Sequence, residues 1–200
     1  QPFAQAAQID ILAPTGEFWS SAVTAQSNRA LADGDVVLIH VFLRAIATTD
    51  ETGTVSCHVY AEGPGPAFTK SISQAITAGP EWIEYFLPFE VVGDYAAGEF
   101  GIKFGFGAGT RPQTLEIADA RAIWYGKTRT IEEMPRTSFN YEGRAPDAAW
   151  RREAARPATR RRRSRDVVGP RLCPGPAPSR WRWVRAEARY ELRATAGRDR

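Results

Sequence analysis

Phe68-Thr69-Lys70-Ser71-Ile72-Ser73-Gln74, Gly79-Pro80-Glu81-Trp82, Tyr85-Phe86-Leu87-Pro88-Phe89, Leu115-Glu116-Ile117 and Tyr125-Gly126 follow one another within residues 67–143. Short apolar runs alternate there with Gly, Pro and Asp breaks at near-regular spacing. This is the rhythm of an antiparallel β-sandwich, not of a helical or α/β domain.

The flanking sequence keeps the same rhythm. Residues 8–13 alternate weakly and read as a strand, and residues 18–23 offer a second. Residues 36–46 give the strongest strand, with Val37, Ile39, Val41 and Leu43 on one face and Leu38, His40, Phe42 and Arg44 on the other. A face that carries His and Arg among apolar groups is mixed, not a plain core face. Residues 54–62 put Val55, Cys57, Val59 and Ala61 on one side and Ser56, His58, Tyr60 and Glu62 on the other. Further strands are expected at 70–76, 81–91, 99–105 and 114–124, with breakers between them. Ile102, Phe104 and Phe106 alternate with Lys103 and glycines and read as core. Eight or so strands of this length make a two-sheet jelly roll the expected all-β fold.

Composition allows one domain of ordinary size with an appendage, since the chain has 200 residues and is 43% hydrophobic. No run of eighteen apolar residues is present, so no transmembrane helix is expected. Gln1 is not followed by a basic and then an apolar leader region, so no signal peptide is visible. The charge is segregated: residues 151–200 hold 16 Arg and 5 acids, a net +11, so the formal +3 of the whole leaves −8 for residues 1–150. Cys57 and Cys173 read as two unrelated thiols, which excludes a disulfide scaffold. Two histidines in separate strands do not make a zinc site. Gly105-Phe106-Gly107-Ala108-Gly109 lacks the Lys-Ser/Thr and helix of a phosphate loop and reads as a turn.

Several motifs in order resemble one family. They are Thr69-Lys70-Ser71-Ile72-Ser73-Gln74, Gly79-Pro80-Glu81-Trp82, Leu87-Pro88-Phe89, Asp94-Tyr95-Ala96-Ala97-Gly98-Glu99 and Pro112-Gln113-Thr114-Leu115-Glu116-Ile117. Pro135-Arg136-Thr137 and Tyr141-Glu142-Gly143-Arg144-Ala145-Pro146-Asp147 continue the series. Over residues 1 to about 155 the chain resembles the N-terminal carbohydrate-binding-type domain of bacterial glycoside hydrolases of the family-ten endo-1,4-β-xylanase kind. The resemblance implies a jelly-roll module like those of carbohydrate-binding families four, nine and twenty-two. It also implies a polysaccharide partner (xylan or β-glucan), a covalently linked hydrolase barrel, and an extracellular or periplasmic location. Neither nucleic acid nor membrane is an expected partner. The family's first strand would lie ahead of Gln1. No cofactor is implied, though modules of this kind often hold a structural calcium ion, for which Asp119 is the carboxylate to consider.

Nothing in the sequence resembles the two catalytic carboxylates of a retaining xylanase, and the residues after Trp150 are too few for a barrel of ~250 residues. The chain by itself is therefore read as non-catalytic. A sugar presents apolar C–H faces and a hydroxyl rim, so a flat ring with polar neighbours is the minimal site. Trp19, Arg44, His58, Tyr60 and Trp82 are the candidate carbohydrate-binding residues. Four of them have a structural alternative: Tyr60 packed at a sheet edge, Trp82 as a strand-entry anchor, Trp19 in the core, and Arg44 in a buried pair with a glutamate.

The domain reading is a sandwich over 1–143, a linker with a short helix over 144–165, and an irregular Arg/Pro-rich tail over 166–200. Around Arg171-Leu172-Cys173-Pro174-Gly175-Pro176 the tail reads as an out-of-frame remnant of the segment that precedes a hydrolase barrel. The Arg160-Arg161-Arg162-Arg163 run has a rival reading as a nucleic-acid arm, set aside because like-charge runs are mostly solvated and disordered. Two alternatives to sugar binding stand beside it: a purely structural sandwich, and a defective truncated product.

Overall fold

Period-two alternation decides which residues the sandwich encloses. The computed structural model describes residues 2–108 and 111–137, with two short strands at 182–184 and 193–196. The strands are β1 (Gln5–Ile11), β2 (Ala22–Gln26), β3 (Val36–Thr48), β4 (Val55–Glu62), β5 (Lys70–Ala78), β6 (Ile83–Glu90), β7 (Gly101–Gly105), β8 (Gln113–Gly126), β9 (Arg182–Val184) and β10 (Arg193–Ala196). They form two antiparallel five-stranded sheets, ordered β10-β1-β8-β3-β6 and β5-β4-β7-β2-β9. We call these the first and second sheet. The all-β two-sheet sandwich expected from the sequence is the fold.

The core lies between the inner faces. Val37, Ile39, Val41 and Leu43 of β3 meet Val55, Cys57, Val59 and Ala61 of β4 in one cluster with Ile102, Phe104, Phe106 and Leu115. All twelve are nearly solvent-free, as the alternation predicts. Burying each large side chain contributes roughly 1.5–3 kcal/mol relative to exposure. The thiol of Cys57 sits in this apolar layer, and burial raises its pKa well above the ordinary thiol range.

The other face of β3 is also covered, although its sequence reads as mixed. Val36 and Leu38 join Phe86, Ile123 and Met134 in a second cluster. Residues 131–137 run back over the first sheet to bring Met134 there. Thr137 fixes this return: its backbone N–H donates to the Phe86 carbonyl at 2.9 Å, and its hydroxyl accepts the Phe86 N–H at 2.8 Å. The 3-10 turn Ile131–Glu133 that starts the return is capped reciprocally by Thr130 and Glu133.

Residues 18–23 do not form one strand. Phe18–Ser20 is a 3-10 turn, and β2 begins only at Ala22. Ser20 donates both its N–H and its hydroxyl to the Glu17 carbonyl, and Gly16 donates to the Gly107 carbonyl, so the chain folds over the end of β7. The turn needs space at β7: a Cβ on Gly105 would run into the Phe18 carbonyl, and one on Gly107 into that of Glu17. Such a contact between distant residues leaves no mark in local alternation.

The helix expected within 144–165, the Arg160–Arg163 run and Cys173 lie outside the described residues. From the stretch read as an irregular tail, β9 pairs with β2 and β10 pairs with β1. Among the described residues, no helix is long and apolar enough to cross a membrane.

Candidate functional site

The outer face of the second sheet brings together side chains from β4, β5, β7 and β2 in three cross-strand rows. Ala75, His58, Gly105 and Ala22 make the first, and Ser73, Tyr60, Lys103 and Thr24 the second. Lys70, Glu62, Gly101 and Gln26 make the third. Two glycines in the central strand keep its surface low: a Cβ on Gly101 would crowd the Gln26 amide, and one on Gly105 would meet the Tyr60 ring at 3.2 Å.

At one end of this face the 3-10 turn supplies a ladder of rings. Phe18 stacks on the His58 imidazole with centroids 4.0 Å apart and planes 18° apart. It meets Tyr60 edge-on at 5.0 Å and Trp19 edge-on at 4.7 Å. Trp19 is 58% exposed, so its indole is an open platform at the rim. Tyr60 is 2% exposed: Phe18 covers its ring on one side, and the ammonium groups of Lys103 and Lys70 lie 5.6 and 6.0 Å from its centroid. Its phenol is pushed up to about 12, first by burial and then by the Glu62 and Cys57 charges. His58 is half-buried and shares a hydrogen bond of 2.8 Å with the Ser73 hydroxyl. Burial, and then Lys70, hold its pKa below the ordinary imidazole value, so it is neutral at pH 7.

At the other end Glu62 accepts from two lysines. Lys103 Nζ lies 2.6 Å from Oε1 and Lys70 Nζ 2.9 Å from Oε2. The Glu62 side chain is only 8% exposed. Burial works to raise its pKa, and the hydrogen bonds from Lys103 and Lys70 outweigh that and hold it below the usual carboxylate value. Lys103 and Lys70 keep 23% and 38% of their side-chain surface on this face.

The five candidate residues therefore divide between two opposite surfaces. Trp19, His58 and Tyr60 share the outer face of the second sheet. Arg44 and Trp82 lie on the outer face of the first, where the Arg44 guanidinium sits 4.7 Å over the Trp82 ring. Arg44 is held there by Glu116, with Nη2 at 2.6 Å and Nε at 2.7 Å from Oε2. The edge of the half-buried Trp82 meets Phe3 at 4.8 Å. Arg44 is thus paired with a buried glutamate while keeping 35% of its own side-chain surface, and Trp82 is half-buried against Phe3. His40 belongs to the same surface, 2.9 Å from Glu84. The sequence reading missed Phe18, Lys70 and Lys103 as partners of the site. A lone lysine at an outward position of an apolar alternating run was the available signal for Lys103.

Two other places are less suited to a flat ligand. A cleft of about 400 Å³ lies along the sandwich edge between β5 and β6, with Ile72, Gln74, Phe89 and Glu90 in its wall. Its aromatic, Phe89, is buried in the core and presents no open ring. Asp119, the carboxylate considered for a calcium ion, has other partners. Its Oδ1 is engaged by Arg121 at 2.5 Å, and His40 stands 3.9 Å from Oδ2. Among the described residues no three His, Cys, Asp or Glu side chains are grouped to hold a metal ion.

No protein-family model and no curated protein sequence matches the chain. Solved structures do. The unliganded carbohydrate-binding module of PbXyn10C aligns over 99% of this chain and 91% of its own, with a TM-score of 0.52 and 11% identity. A structure described as CBM4 aligns over 58% of this chain and 69% of its own, with a TM-score of 0.48 and 19% identity. The N-terminal cellulose-binding domain of β-1,4-glucanase C from Cellulomonas fimi aligns over 59% and 77%, with a TM-score of 0.45 and 16% identity. At these identities it is the PbXyn10C module, matched along nearly the whole chain, that shows the shared architecture: the chain has the two-sheet fold of that module.

Proposed function

We propose that the chain is a non-catalytic carbohydrate-binding module that holds a plant cell-wall β-glycan, xylan or β-glucan, on the outer face of its second sheet. The observation that carries this reading is Trp19, an indole 58% exposed at the rim of a low, glycine-floored face and braced edge-on by Phe18. An exposed ring held in place loses little conformational freedom when a sugar stacks on it. Ser73, Thr24 and Gln26 supply hydroxyl and amide partners for sugar hydroxyls along the same rows. The neighbour's designation as a carbohydrate-binding module supports the reading. The three rows hold one carboxylate, Glu62, and it is tied to two lysines. A retaining glycosidase needs two carboxyl groups about 5 Å apart. In this reading the module tethers a linked xylanase-like hydrolase to its polymer outside the cytoplasm, in the extracellular space or periplasm, which raises the effective substrate concentration.

Affinity electrophoresis through xylan, mixed-linkage glucan and soluble cellulose derivatives tests the proposal. Retardation on at least one glycan is expected. Trp19→Ala weakens it about ten-fold or more, the equivalent of about 1.4 kcal/mol. Because Trp19 is exposed, the same change should leave the urea midpoint almost unmoved. Migration indifferent to every glycan overturns the proposal and favours a purely structural sandwich.

A further inference from the structure

Two ammonium groups share one carboxylate on the proposed binding face, and this imbalance runs against the charge of the rest of the body. Residues 1–137 carry nine lysines and arginines against sixteen aspartates and glutamates. On the outer face of the first sheet, the carboxylates of Asp10, Glu84, Glu116 and Asp119 outnumber the guanidinium groups of Arg44 and Arg121. In the three rows of the second sheet the excess is positive: Lys70 and Lys103 face Glu62 alone, and His58 is neutral.

We propose that this face recognises a uronic-acid-substituted xylan, with the uronate carboxylate seated between Lys70 and Lys103. The proposal rests on the glycan-binding reading and names the substrate class for the same site. Three features of the geometry support it. Glu62 uses one oxygen for each lysine, so each ammonium spends one of its three N–H donors there and keeps two. Lys103 is the residue of β7 between the buried Gly101 and Gly105 that carries an outward side chain, and that side chain keeps 23% of its surface exposed. The Glu62 carboxylate is almost wholly buried beneath the two cations, so an incoming anion meets ammonium groups before it meets the like charge. A neutral glycan has no use for the surplus charge, whereas a carboxylate beside the aromatic rim completes the pairing of both lysines.

The test compares binding of the full chain to three probes: glucuronoxylan, the same polymer with its uronate carboxyls chemically reduced to alcohols, and polygalacturonate. Native glucuronoxylan should bind about five-fold more tightly than the reduced polymer, the scale of one partly exposed ion pair. That difference should shrink as sodium chloride is raised from low to near-molar concentration, because salt screens exposed charges. Lys103→Met and Lys70→Met should each lower affinity for native glucuronoxylan by more than they lower affinity for the reduced polymer, so that the preference between the two polymers narrows. Should either variant fold poorly, the salt dependence of the unmodified chain decides by itself. Equal, salt-independent binding of native and reduced polymer overturns the uronate proposal and leaves glycan binding intact. Binding of neither polymer overturns both. Tighter binding of polygalacturonate than of glucuronoxylan shows recognition of charge without a xylan backbone and overturns the proposed substrate class.

Discussion

Tyr60 shows how one side chain can belong to a surface and still be closed to solvent. It projects outward from β4, yet Phe18, Lys103 and Lys70 leave it 2% exposed. Its role is to support the rings and ammonium groups that do reach solvent. Its phenol ionises only near about 12, whereas an unfolded tyrosine ionises near 10. Between those values the unfolded chain has released the proton and the folded chain still holds it, so stability falls as pH rises through the window. The loss is on the order of 2 kcal/mol, and the buried Cys57 thiol adds to it in the same direction. Urea midpoints measured from neutral pH into this alkaline window should fall more steeply for the unmodified chain than for Tyr60→Phe. Parallel curves would show that Tyr60 ionises freely. His58 offers a test at the acid end. Its imidazole should titrate below the ordinary imidazole value, and Lys70→Met should move the midpoint up without restoring it fully, because burial is the larger cause. A midpoint unmoved by that change would place Lys70 too far from the ring to matter.

The contact between the Phe18–Ser20 turn and β7 assembles the aromatic rim, and it is the element a single methyl group can displace. Gly105→Ala places a Cβ against the Phe18 carbonyl and 3.2 Å from the Tyr60 ring. The turn must lift, and overpacking of this kind costs about 1–3 kcal/mol. Urea unfolding of Gly105→Ala should show that loss together with weaker glycan retardation, whereas Trp19→Ala should show weaker retardation only. Full stability in Gly105→Ala would mean that the turn is not seated on β7. The same element marks the limit of what the sequence reveals. Alternation in β3, β4 and β7 is local, so Val37, Val59 and Phe104 are recognisable as core from neighbours two positions away. Sheet membership is not local. Arg44 and Tyr60 look alike as outward polar or aromatic residues in alternating strands, and only the pairing of β3 with β6 and β8, and of β4 with β5 and β7, sends them to opposite surfaces. The burial of Tyr60 likewise depends on Phe18, 42 positions earlier, in a stretch that alternates well enough to pass for a strand.

At the scale of the molecule the two outer faces are built for different purposes. The first sheet is closed: residues 131–137 cross it, Met134 and Phe86 pack on it, and its two arginines are engaged in the Arg44–Glu116 and Arg121–Asp119 pairs, with His40 2.9 Å from Glu84. The second sheet is open, with an exposed indole at its rim, hydroxyl and amide groups along its rows, and a surplus cation. Burying a glycan against matched ion pairs would strip water from charges that already have partners, at a cost the sugar cannot repay. Stacking on Trp19 and bonding to Ser73, Thr24 and Gln26 would instead desolvate neutral groups, at a smaller cost. Ligand protection should therefore be one-sided. Amide hydrogen exchange with and without saturating xylan should slow in β2, β4 and β7 and in the Phe18–Ser20 turn, and remain unchanged in β3, β6 and β8. Protection centred on Trp82 and Arg44 would move the binding surface to the first sheet, and the aromatic rim at Trp19 would then need a different explanation.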